Sequence, residues 1–364
     1  MPFSQLQYTP LRSRQSSESA APRPMTPPSR SRRLLAIEGG GTTWVASVVE
    51  LGPGESVEDP TGEVDVRSRA RATRAEFATT TPRETLATIR EWIEANAREV
   101  DAIGVATFGP VDVRVDRDTY GYITTTPKPG WANTDVLGGL FGEEGDDAWR
   151  SHARLKTRGG IPIGFDTDVN APAMAEYARF RRQSDKAEKT SCCYVTVGTG
   201  VGVGIVVNGL PVHGILHPEA GHVHVKSLEG DDFPGTCPFH GNCVEGMVSS
   251  GALAKRRQVD PRDLVSLPDD DPVWDACAHY LAGLCVTLSL TLSPERIVLG
   301  GGVMQRSCLF PKVRERIPQL LAGYMSLDEL VTKDGLANYV VPSDCGNDAG
   351  LIGAFFLADF ALCK

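Results

Sequence analysis

Short apolar runs separated by glycine-rich segments recur along the chain. Leu34–Ile37 precedes Glu38–Thr43, which reads Glu-Gly-Gly-Gly-Thr-Thr, and a second apolar run, Trp44–Leu51, follows directly. Apolar runs of about four to eight residues bounded by turn residues are typical of buried β-strands. The pattern therefore predicts a strand, a tight glycine turn and a returning strand.

The same arrangement occurs again in the second half of the chain. The apolar run Ser191–Val197 leads into the glycine turn Gly198–Gly204 and a strand at Ile205–Val207, and the run Arg296–Leu299 leads into Gly300–Gly302. Glycines let backbone N–H groups approach an anion with no Cβ in the way. One such hairpin alone would more often be an ordinary β-turn. Together they predict nucleotide-binding turns at Gly39, Gly40, Gly41, Thr42, Gly198, Thr199, Gly200, Gly300, Gly301 and Gly302.

These turns lack the features of the two commonest phosphate-binding motifs. Neither hairpin contains the lysine of a P-loop, and neither passes straight into a helix as a dinucleotide-binding fingerprint does. The pattern therefore favours phosphate held by hairpins.

Helical periodicity appears between the strands. Thr81 followed by Pro82 and Glu84 is a typical helix start, and this helix is predicted to run through Ala95. A second helix is predicted over Asp271–Leu292, with core residues at helical spacing, and a third begins at Gly346-Asn347-Asp348. Alternating strands and helices in two similar halves predict an α/β protein with an actin-like (ribonuclease H-like) two-lobe ATPase fold, duplicated mixed sheets and a cleft between the lobes.

The predicted organisation follows from these elements. Residues 1–32 form a disordered tail, and 33–168 form an N-terminal α/β lobe closed by the last helix, 346–364. Residues 169–345 form a C-terminal α/β lobe with an insertion at 222–243.

The candidate catalytic residues follow the apolar strand Ile161–Phe165. Asp166, Asp168 and Asn170 come at its carboxyl end, where ligands gather in open α/β sheets. A carboxylate there can accept a hydroxyl proton during attack on a γ-phosphate. Asp168 is the favoured base, with Asn170 or Asp166 supporting it. The alternative, that these acids cap the helix near Pro172, stays open for Asp166 in particular.

A metal site is predicted in the segment 222–245. Cys237, His240 and Cys243 fall three residues apart, and His222 lies upstream. Four thiolate and imidazole ligands in one short stretch match a closed tetrahedral zinc site. Because all four positions are filled by protein, the zinc is predicted to be structural. Two carboxylates, Glu219 and Glu245, bracket the cluster, so the metal would also orient a binding site beside it.

Composition narrows the function classes. The chain has 364 residues, a net charge of −9 and a pI near 5.4, and its folded part has no basic stripe, which argues against nucleic acid. Apolar runs such as Leu281–Leu292 are interrupted too early to predict a membrane span. Nine cysteines without regular spacing, together with a thiolate zinc site, predict a reducing, cytoplasmic location.

Residues 1–32 differ from the rest of the chain. They are rich in serine, proline and arginine and contain one acid, Glu18. Such a composition cannot bury enough apolar surface to fold, so a disordered tail is predicted. An arginine- and serine-rich start is also compatible with a mitochondrial transit peptide, although the prolines disfavour the amphipathic helix of such a peptide.

At this point the residues resemble a known family. The chain after the tail, 33–364, is similar to the ROK-type sugar kinases and, within them, to the zinc-dependent fructokinases. The stretch Tyr120–Trp131 indicates fructokinase over glucokinase. The matching segments are Ile37–Thr42, Gly109-Pro110, Tyr120–Trp131, Asp166–Asn170, Thr196–Gly204, Glu219–His222, Cys237–Glu245 and Leu299–Val303.

The resemblance implies a function for each motif. Asp168 would be the general base in transfer of a phosphoryl group from ATP to D-fructose, with Mg²⁺ accompanying ATP. Substrate would contact Asn170, Glu219, Glu245, Asp166, Gly109 and Pro110, and zinc would bind His222, Cys237, His240 and Cys243. Homodimers are common in the family, so a homodimer is a candidate assembly.

One departure from the family pattern concerns the first glycine turn. Many members have a lysine after the Gly-Gly-Thr, whereas Thr43 and Trp44 stand here. We therefore expect this turn to contact phosphate through backbone N–H groups.

Alternative functions within the family remain. A different hexose, such as glucose, mannose or an N-acetylhexosamine, would require pocket differences of only a hydroxyl or two. A non-catalytic sugar-binding member is another alternative, although Asp168 and both glycine hairpins argue against it. A sugar-sensing repressor would need a winged helix-turn-helix, for which the 32 leading residues are too few.

Overall fold

The computed structural model describes residues 29–57, 65–142, 157–158, 160–182 and 191–362. Most of the predicted tail, residues 1–28, lies outside the described residues. The described residues form thirteen strands: β1 Arg32–Gly39, β2 Thr43–Leu51, β3 Ala75–Ala78, β4 Ala102–Thr107, β5 Tyr122–Ile123, β6 Thr134–Asp135, β7 Thr157–Arg158, β8 Ile161–Thr167, β9 Ser191–Val197, β10 Val201–Val207, β11 Leu210–Pro211, β12 Ile297–Gly300 and β13 Val340–Pro342.

The described residues also form eleven α-helices and four 3-10 turns. The helices are α1 Val66–Thr73, α2 Pro82–Asn96, α3 Val136–Phe141, α4 Asn170–Arg182, α5 Val244–Val248, α6 Ser250–Arg257, α7 Pro272–Leu292, α8 Leu309–Leu321, α9 Asp328–Val331, α10 Lys333–Tyr339 and α11 Ala349–Leu362. The 3-10 turns are Ala220–His222, Pro261–Ser266, Val303–Gln305 and Gly346–Asp348.

Two mixed sheets repeat one arrangement. The first has the strand order β3-β2-β1-β4-β8-β7 and the second the order β11-β10-β9-β12-β13. In each sheet an antiparallel hairpin, β1/β2 or β9/β10, lies beside a parallel strand, β4 or β12. The predicted α/β fold with duplicated mixed sheets is confirmed. The carboxyl ends of β1, β4 and β8 therefore meet at one edge of the first sheet.

Glycines allow two helices to pack tightly between the sheets. Helix α11 lies on β1, β4 and β8, and α4 lies on β9 and β10. A Cβ at Gly104 of β4 would stand 1.8 Å from the carbonyl oxygen of Ala354, and one at Gly204 of β10 would stand 1.9 Å from that of Val169. The helices also contact each other, since a Cβ at Gly353 would stand 2.3 Å from the carbonyl carbon of Ala171. One apolar core thus joins both sheets through α4 and α11.

Two predicted boundaries are wrong. The second glycine turn was expected to extend over Gly198–Gly204, but β10 begins at Val201, which pairs with Val197. Gly202 and Gly204 lie within β10. They are glycines because Val169 packs where their side chains would be.

The first strand begins earlier than expected. Arg32, predicted to lie in the tail, is the first residue of β1 and is 2 % exposed. Its guanidinium donates to both carboxylate oxygens of Asp359 on α11, at 2.9 and 3.0 Å. This buried ion pair ties the end of α11 to the first sheet.

The predicted helices are confirmed, with small shifts at their ends. Thr81 caps α2, and its side chain accepts the N–H of Glu84. Asp271 caps α7, which is long and apolar enough to cross a membrane by length and composition alone. However, 72 % of its most apolar window is buried inside the protein. Its apolar character is therefore explained by its place in the core of the second sheet.

Candidate active site

The candidate base lies where the first sheet ends. Asp168 follows β8, and its backbone N–H donates to the carbonyl of Thr107, the last residue of β4, at 2.9 Å. Its side chain is half-buried, and this burial raises the pKa of its carboxyl to about 7. A carboxyl that titrates near neutrality is suited to accept a proton during catalysis.

Asp166 and Asn170 form a hydrogen-bonded support beside Asp168. Asp166 is 2 % exposed, and its Oδ1 accepts the side-chain amide of Asn170 at 2.9 Å. The Nε2 of His213 lies 2.9 Å from the other carboxylate oxygen of Asp166. The side-chain oxygen of Asn170 accepts the N–H of Ile205 in β10, at 3.3 Å. The support therefore connects the end of β8 to the second sheet.

Sequence reasoning missed Glu38, the last acid before the first glycine turn. Its pKa is raised to about 7, first by burial and then by the negative charge of Asp168. The carboxylate lies against the start of α11, where a Cβ at Gly350 would be 1.9 Å from its Oε1. The sequence did offer one signal for Glu38, namely an acid at the end of a predicted buried strand.

His217 was also missed, because its role depends on contacts distant in sequence. Its side chain is 3 % exposed, and its Nε2 accepts the N–H of Val111 at 3.0 Å. The ring lies beside Gly109, which is joined to Pro110 by a cis peptide bond. Its Nδ1 has no hydrogen-bond partner among the described residues and lies 3.5 Å from Oε1 of Glu219. His217 thus brings the predicted sugar ligands Gly109, Pro110 and Glu219 together.

Glu219 and Glu245 belong to the same part of the cleft. Burial, followed by the charges of Asp168 and Glu245, raises the pKa of Glu219 to about 7. Its side chain stays 40 % exposed, so water screens part of this effect. Glu245, in the first turn of α5, accepts the N–H of Val201 through Oε2 at 3.1 Å. Its other oxygen lies 4.0 Å from Nε2 of His222.

The second and third glycine turns lie together. A Cβ at Gly198 would stand 4.0 Å from the backbone nitrogen of Gly302, and Gly301 needs its positive φ of 88° to pass β9. Both turns line a cavity of about 690 Å³, which also contains Trp274 and Arg306. The first turn does not line this cavity. The N–H of Gly40 closes the first turn by donating to the carbonyl of Thr43 at 3.0 Å, and Gly41 faces open space.

The four predicted metal ligands converge. The ligand atoms of His222, Cys237, His240 and Cys243 all lie within 4.8 Å of one another. The two imidazole Nδ1 atoms are 3.3 Å apart, and the recorded S···N distances are each 3.6 Å. Zn–N bonds of about 2.0 Å and Zn–S bonds of about 2.3 Å in a tetrahedron require N···N of about 3.3 Å and S···N of about 3.5 Å. The donor set and its spacing therefore fit zinc.

Local backbone geometry explains this convergence. Gly235 and Gly241 have φ values of 79° and 60°, which favour glycine. Cys237 and Gly241 exchange two backbone hydrogen bonds, which folds Cys237 and His240 back toward each other. Cys243 caps α5, so the next turn of chain carries Glu245.

Comparison with known proteins identifies the class. The ROK family model matches residues 35–360, so the chain belongs to the ROK family. It is 36 % identical to a fructokinase of Pediococcus pentosaceus over 330 residues, covering 90 % of this chain and 98 % of the relative. It is 35 % identical over 329 residues to a putative fructokinase of Bacillus subtilis, covering 90 % and 96 %.

Solved structures agree on the fold. A ROK hexokinase from Thermus thermophilus superposes with a TM-score of 0.60 at 23 % identity, covering 90 % of this chain and 97 % of that one. A ROK glucokinase from Streptomyces griseus, solved with glucose and AMPPNP, gives 0.61 at 20 % identity, covering 90 % and 99 %. The predicted actin-like two-lobe fold is therefore confirmed.

Proposed function

We propose that this protein is an ATP-dependent fructokinase that converts D-fructose to fructose 6-phosphate. The observation that carries the proposal is the place of Asp168, a carboxyl of pKa about 7 at the strand ends next to the first glycine turn. A fructokinase that is 36 % identical over 90 % of this chain supports this choice of sugar.

Asp168 would act as general base. In the proposed reaction the sugar hydroxyl gives its proton to Asp168 as its oxygen bonds to the terminal phosphorus of ATP, while the bond from that phosphorus to ADP breaks. Asp166 and Asn170 would position the sugar relative to the base, since the amide of Asn170 donates a hydrogen bond to Asp166. The buried network leaves Asp166 little freedom to move.

The sugar would lie between Asp168 and the segment 217–219. The carboxylate of Glu219, whose pKa responds to the charge of Asp168, would face this space and accept hydrogen bonds from sugar hydroxyls. Glu245 would complete this side, together with the backbone of Gly109 and Pro110, which lies against His217. These assignments, like the lobe boundary near residue 168, the homodimer and the cytoplasmic location, stay predictions.

The nucleotide would bind across the three glycine turns. The residues assigned to it remain Gly39, Gly40, Gly41, Thr42, Gly198, Thr199, Gly200, Gly300, Gly301 and Gly302. The cavity beside Gly198 and Gly302 is large enough for a nucleoside and opens onto two of the turns. Mg²⁺ would accompany ATP, and the buried carboxylate of Glu38, at the end of the strand before the first glycine turn, would supply an oxygen ligand of the kind that this ion prefers.

Zinc would act as a structural ion, held by His222, Cys237, His240 and Cys243. Such a metal cross-links the segment and orients side chains next to it. The imidazole of His222 would bind zinc through Nδ1 and present Nε2 toward Glu245. Loss of the metal would therefore disturb Glu245 as well as the fold of the segment.

The test is ADP release from Mg-ATP against fructose, glucose, mannose and N-acetylhexosamines, with Asp168→Asn as the catalytic control. A strong preference for fructose in the wild-type protein, lost in the variant, is expected. Preference for another hexose would show that the protein is a kinase for that sugar and that the fructose assignment is wrong. If the wild-type protein bound sugar without releasing ADP, the proposal of a kinase would be wrong and the protein would be a non-catalytic sugar-binding protein.

A further inference from the structure

The three glycine turns carry no positive side chain of their own. Segments Glu38–Thr43, Gly198–Gly200 and Gly300–Gly302 contain neither lysine nor arginine. The first turn also adjoins the acids Glu38 and Asp168. A triphosphate brought to this edge meets negative charge, and phosphoryl transfer in other enzymes relies on a positioned cation for this reason.

A lysine from a distant loop lies at the first turn. The Nζ of Lys128 donates a hydrogen bond to the carbonyl oxygen of Gly41 at 2.5 Å, although the two residues are 87 positions apart. Gly41 and Thr42 are exposed, and a Cβ at Gly41 would meet nothing within 4 Å. The ammonium therefore stands at the open side of the turn. One of its three N–H donors is used by Gly41, which leaves two for an anion.

The loop that carries Lys128 is anchored at both ends. Trp131 is fully buried and stacks on Trp44 with ring centroids 5.6 Å apart, and its indole N–H donates to Thr80 at 2.9 Å. At the other end, Thr124 donates its N–H to the carbonyl of Pro110 at 2.8 Å. The position of Lys128 is therefore set by the fold before any ligand binds, which limits the entropy lost when an anion binds.

We propose that Lys128 binds the terminal phosphoryl group of the nucleoside triphosphate and stabilises its charge during transfer. This assignment rests on the proposed kinase function. Lys128 stays protonated throughout: the sugar proton goes to Asp168, and the P–O bond to ADP is replaced by one to the sugar oxygen. Lys128 thus places a cation at the first glycine turn, which has no lysine or arginine of its own.

Four variants separate charge from structure. Lys128→Met removes both the charge and the hydrogen bond to Gly41, whereas Lys128→Gln keeps a donor without the charge. Lys128→Arg keeps the charge with altered geometry. Lys255→Ala, on the exposed surface of α6, is the matched control for loss of a lysine. The melting temperature of each variant reports folding.

Two measurements test the proposal. Calorimetry compares the binding of ADP with that of AMPPNP, in the presence of Mg²⁺, and steady-state kinetics gives kcat and the KM for fructose. We expect Met and Gln variants to lose about tenfold in AMPPNP affinity and about 10²-fold in kcat, with ADP affinity and fructose KM unchanged. Lys128→Arg should recover part of the loss, and Lys255→Ala should match the wild type.

Contrary results are equally distinct. A normal kcat in Lys128→Gln would assign the lysine a purely structural hydrogen bond to Gly41 and overturn the proposal. Equal loss of ADP and AMPPNP affinity would do the same, because the γ-phosphate would not be the partner. If the wild-type protein bound AMPPNP but phosphorylated no sugar, the fructokinase assignment would fail, while the comparison of ADP with AMPPNP would still test Lys128.

Discussion

The buried Nδ1 of His217 lies 3.5 Å from Oε1 of Glu219. Because Nε2 of the same ring accepts the N–H of Val111, the ring proton must reside on Nδ1, facing the carboxylate. Burial lowers the pKa of His217, which favours this neutral form. The protonated Nδ1 therefore faces the carboxylate of Glu219, one of the proposed sugar ligands, and has no hydrogen-bond partner among the described residues.

The first prediction concerns this pair. His217→Ala should raise the KM for fructose about tenfold, because it removes the ring beside Gly109 and Glu219 and leaves the buried N–H of Val111 without its acceptor, which costs about 1–3 kcal/mol. The KM for ATP should stay the same. His217→Asn, whose amide can place a donor near Nδ1, should recover part of the loss. His279→Ala, at a half-buried histidine on α7 whose Nε2 lies 2.8 Å from the carbonyl oxygen of Lys226, is the control. An unchanged fructose KM in His217→Ala would remove the residue from the sugar site.

The second prediction concerns the pH dependence of catalysis. A general base must be ionised, so kcat/KM should rise with pH and level off above the pKa of Asp168, about 7. Asp168→Asn should lower kcat by about 10²- to 10⁴-fold while fructose binding, measured by calorimetry, changes little. Initial rates from pH 5.5 to 9 give the profile. A rate that is flat over this range would contradict the assignment.

The third prediction concerns stability. The folded protein raises the pKa of Asp168 above its ordinary value of 3.8, so the folded state binds more protons than the unfolded state between about pH 4 and 7. The stability contributed by this group is complete below pH 4 and is lost as pH rises through 7. Asp168→Asn should therefore increase the free energy of unfolding by about 1–3 kcal/mol at pH 8.

Denaturant titrations at pH 8 and pH 4 measure this effect, and the gain should disappear at the lower pH. The variant should thus be more stable and less active, as is common where a catalytic group is held in an unfavourable environment. A variant that is less stable than the wild type at pH 8 would show that ionised Asp168 has stabilising partners.

The fourth prediction concerns the metal cluster. Removal of zinc by chelation, or Cys237→Ser, should lower the free energy of unfolding by about 4 kcal/mol or more, because loss of a structural metal is among the most damaging single changes. The KM for fructose should rise in parallel, since the same segment carries Glu219 and Glu245. Metal content by mass spectrometry and thermal unfolding give the correlation.

Cys308→Ser provides the control, because this half-buried thiol lies outside the cluster. Chelated protein that stays folded and binds fructose normally would disprove the organising role of the metal.

Local sequence patterns predicted the elements well. Apolar runs with glycines between them identified the hairpins β1/β2 and β9/β10, and the cap at Thr81 identified the start of α2. The metal cluster was also predictable, since three of its ligands fall within seven consecutive residues. These features depend on neighbours in sequence, which is what periodicity and spacing report.

Long-range contacts could not be predicted in the same way. Val111 and His217 are 106 residues apart, and Gly41 and Lys128 are 87 apart. The residues next to His217 and Lys128 in sequence do not reveal these backbone partners. The start of β10 was misplaced for the same reason, because Gly204 resembles a turn residue until Val169 is seen to occupy its side-chain space.

The glycines between the two sheets have an evolutionary consequence. A Cβ at Gly104, Gly164 or Gly353 would lie within 2.3 Å of backbone atoms of α11 or α4, and one at Gly204 would lie 1.9 Å from the carbonyl oxygen of Val169, the residue before α4. No rotamer change can relieve these clashes. No other amino acid can replace glycine at these positions unless α4 or α11 moves. Since both helices meet beside Asp168, such a move would displace the site. Related sequences that keep the activity should therefore vary in loops and surfaces and stay invariant here.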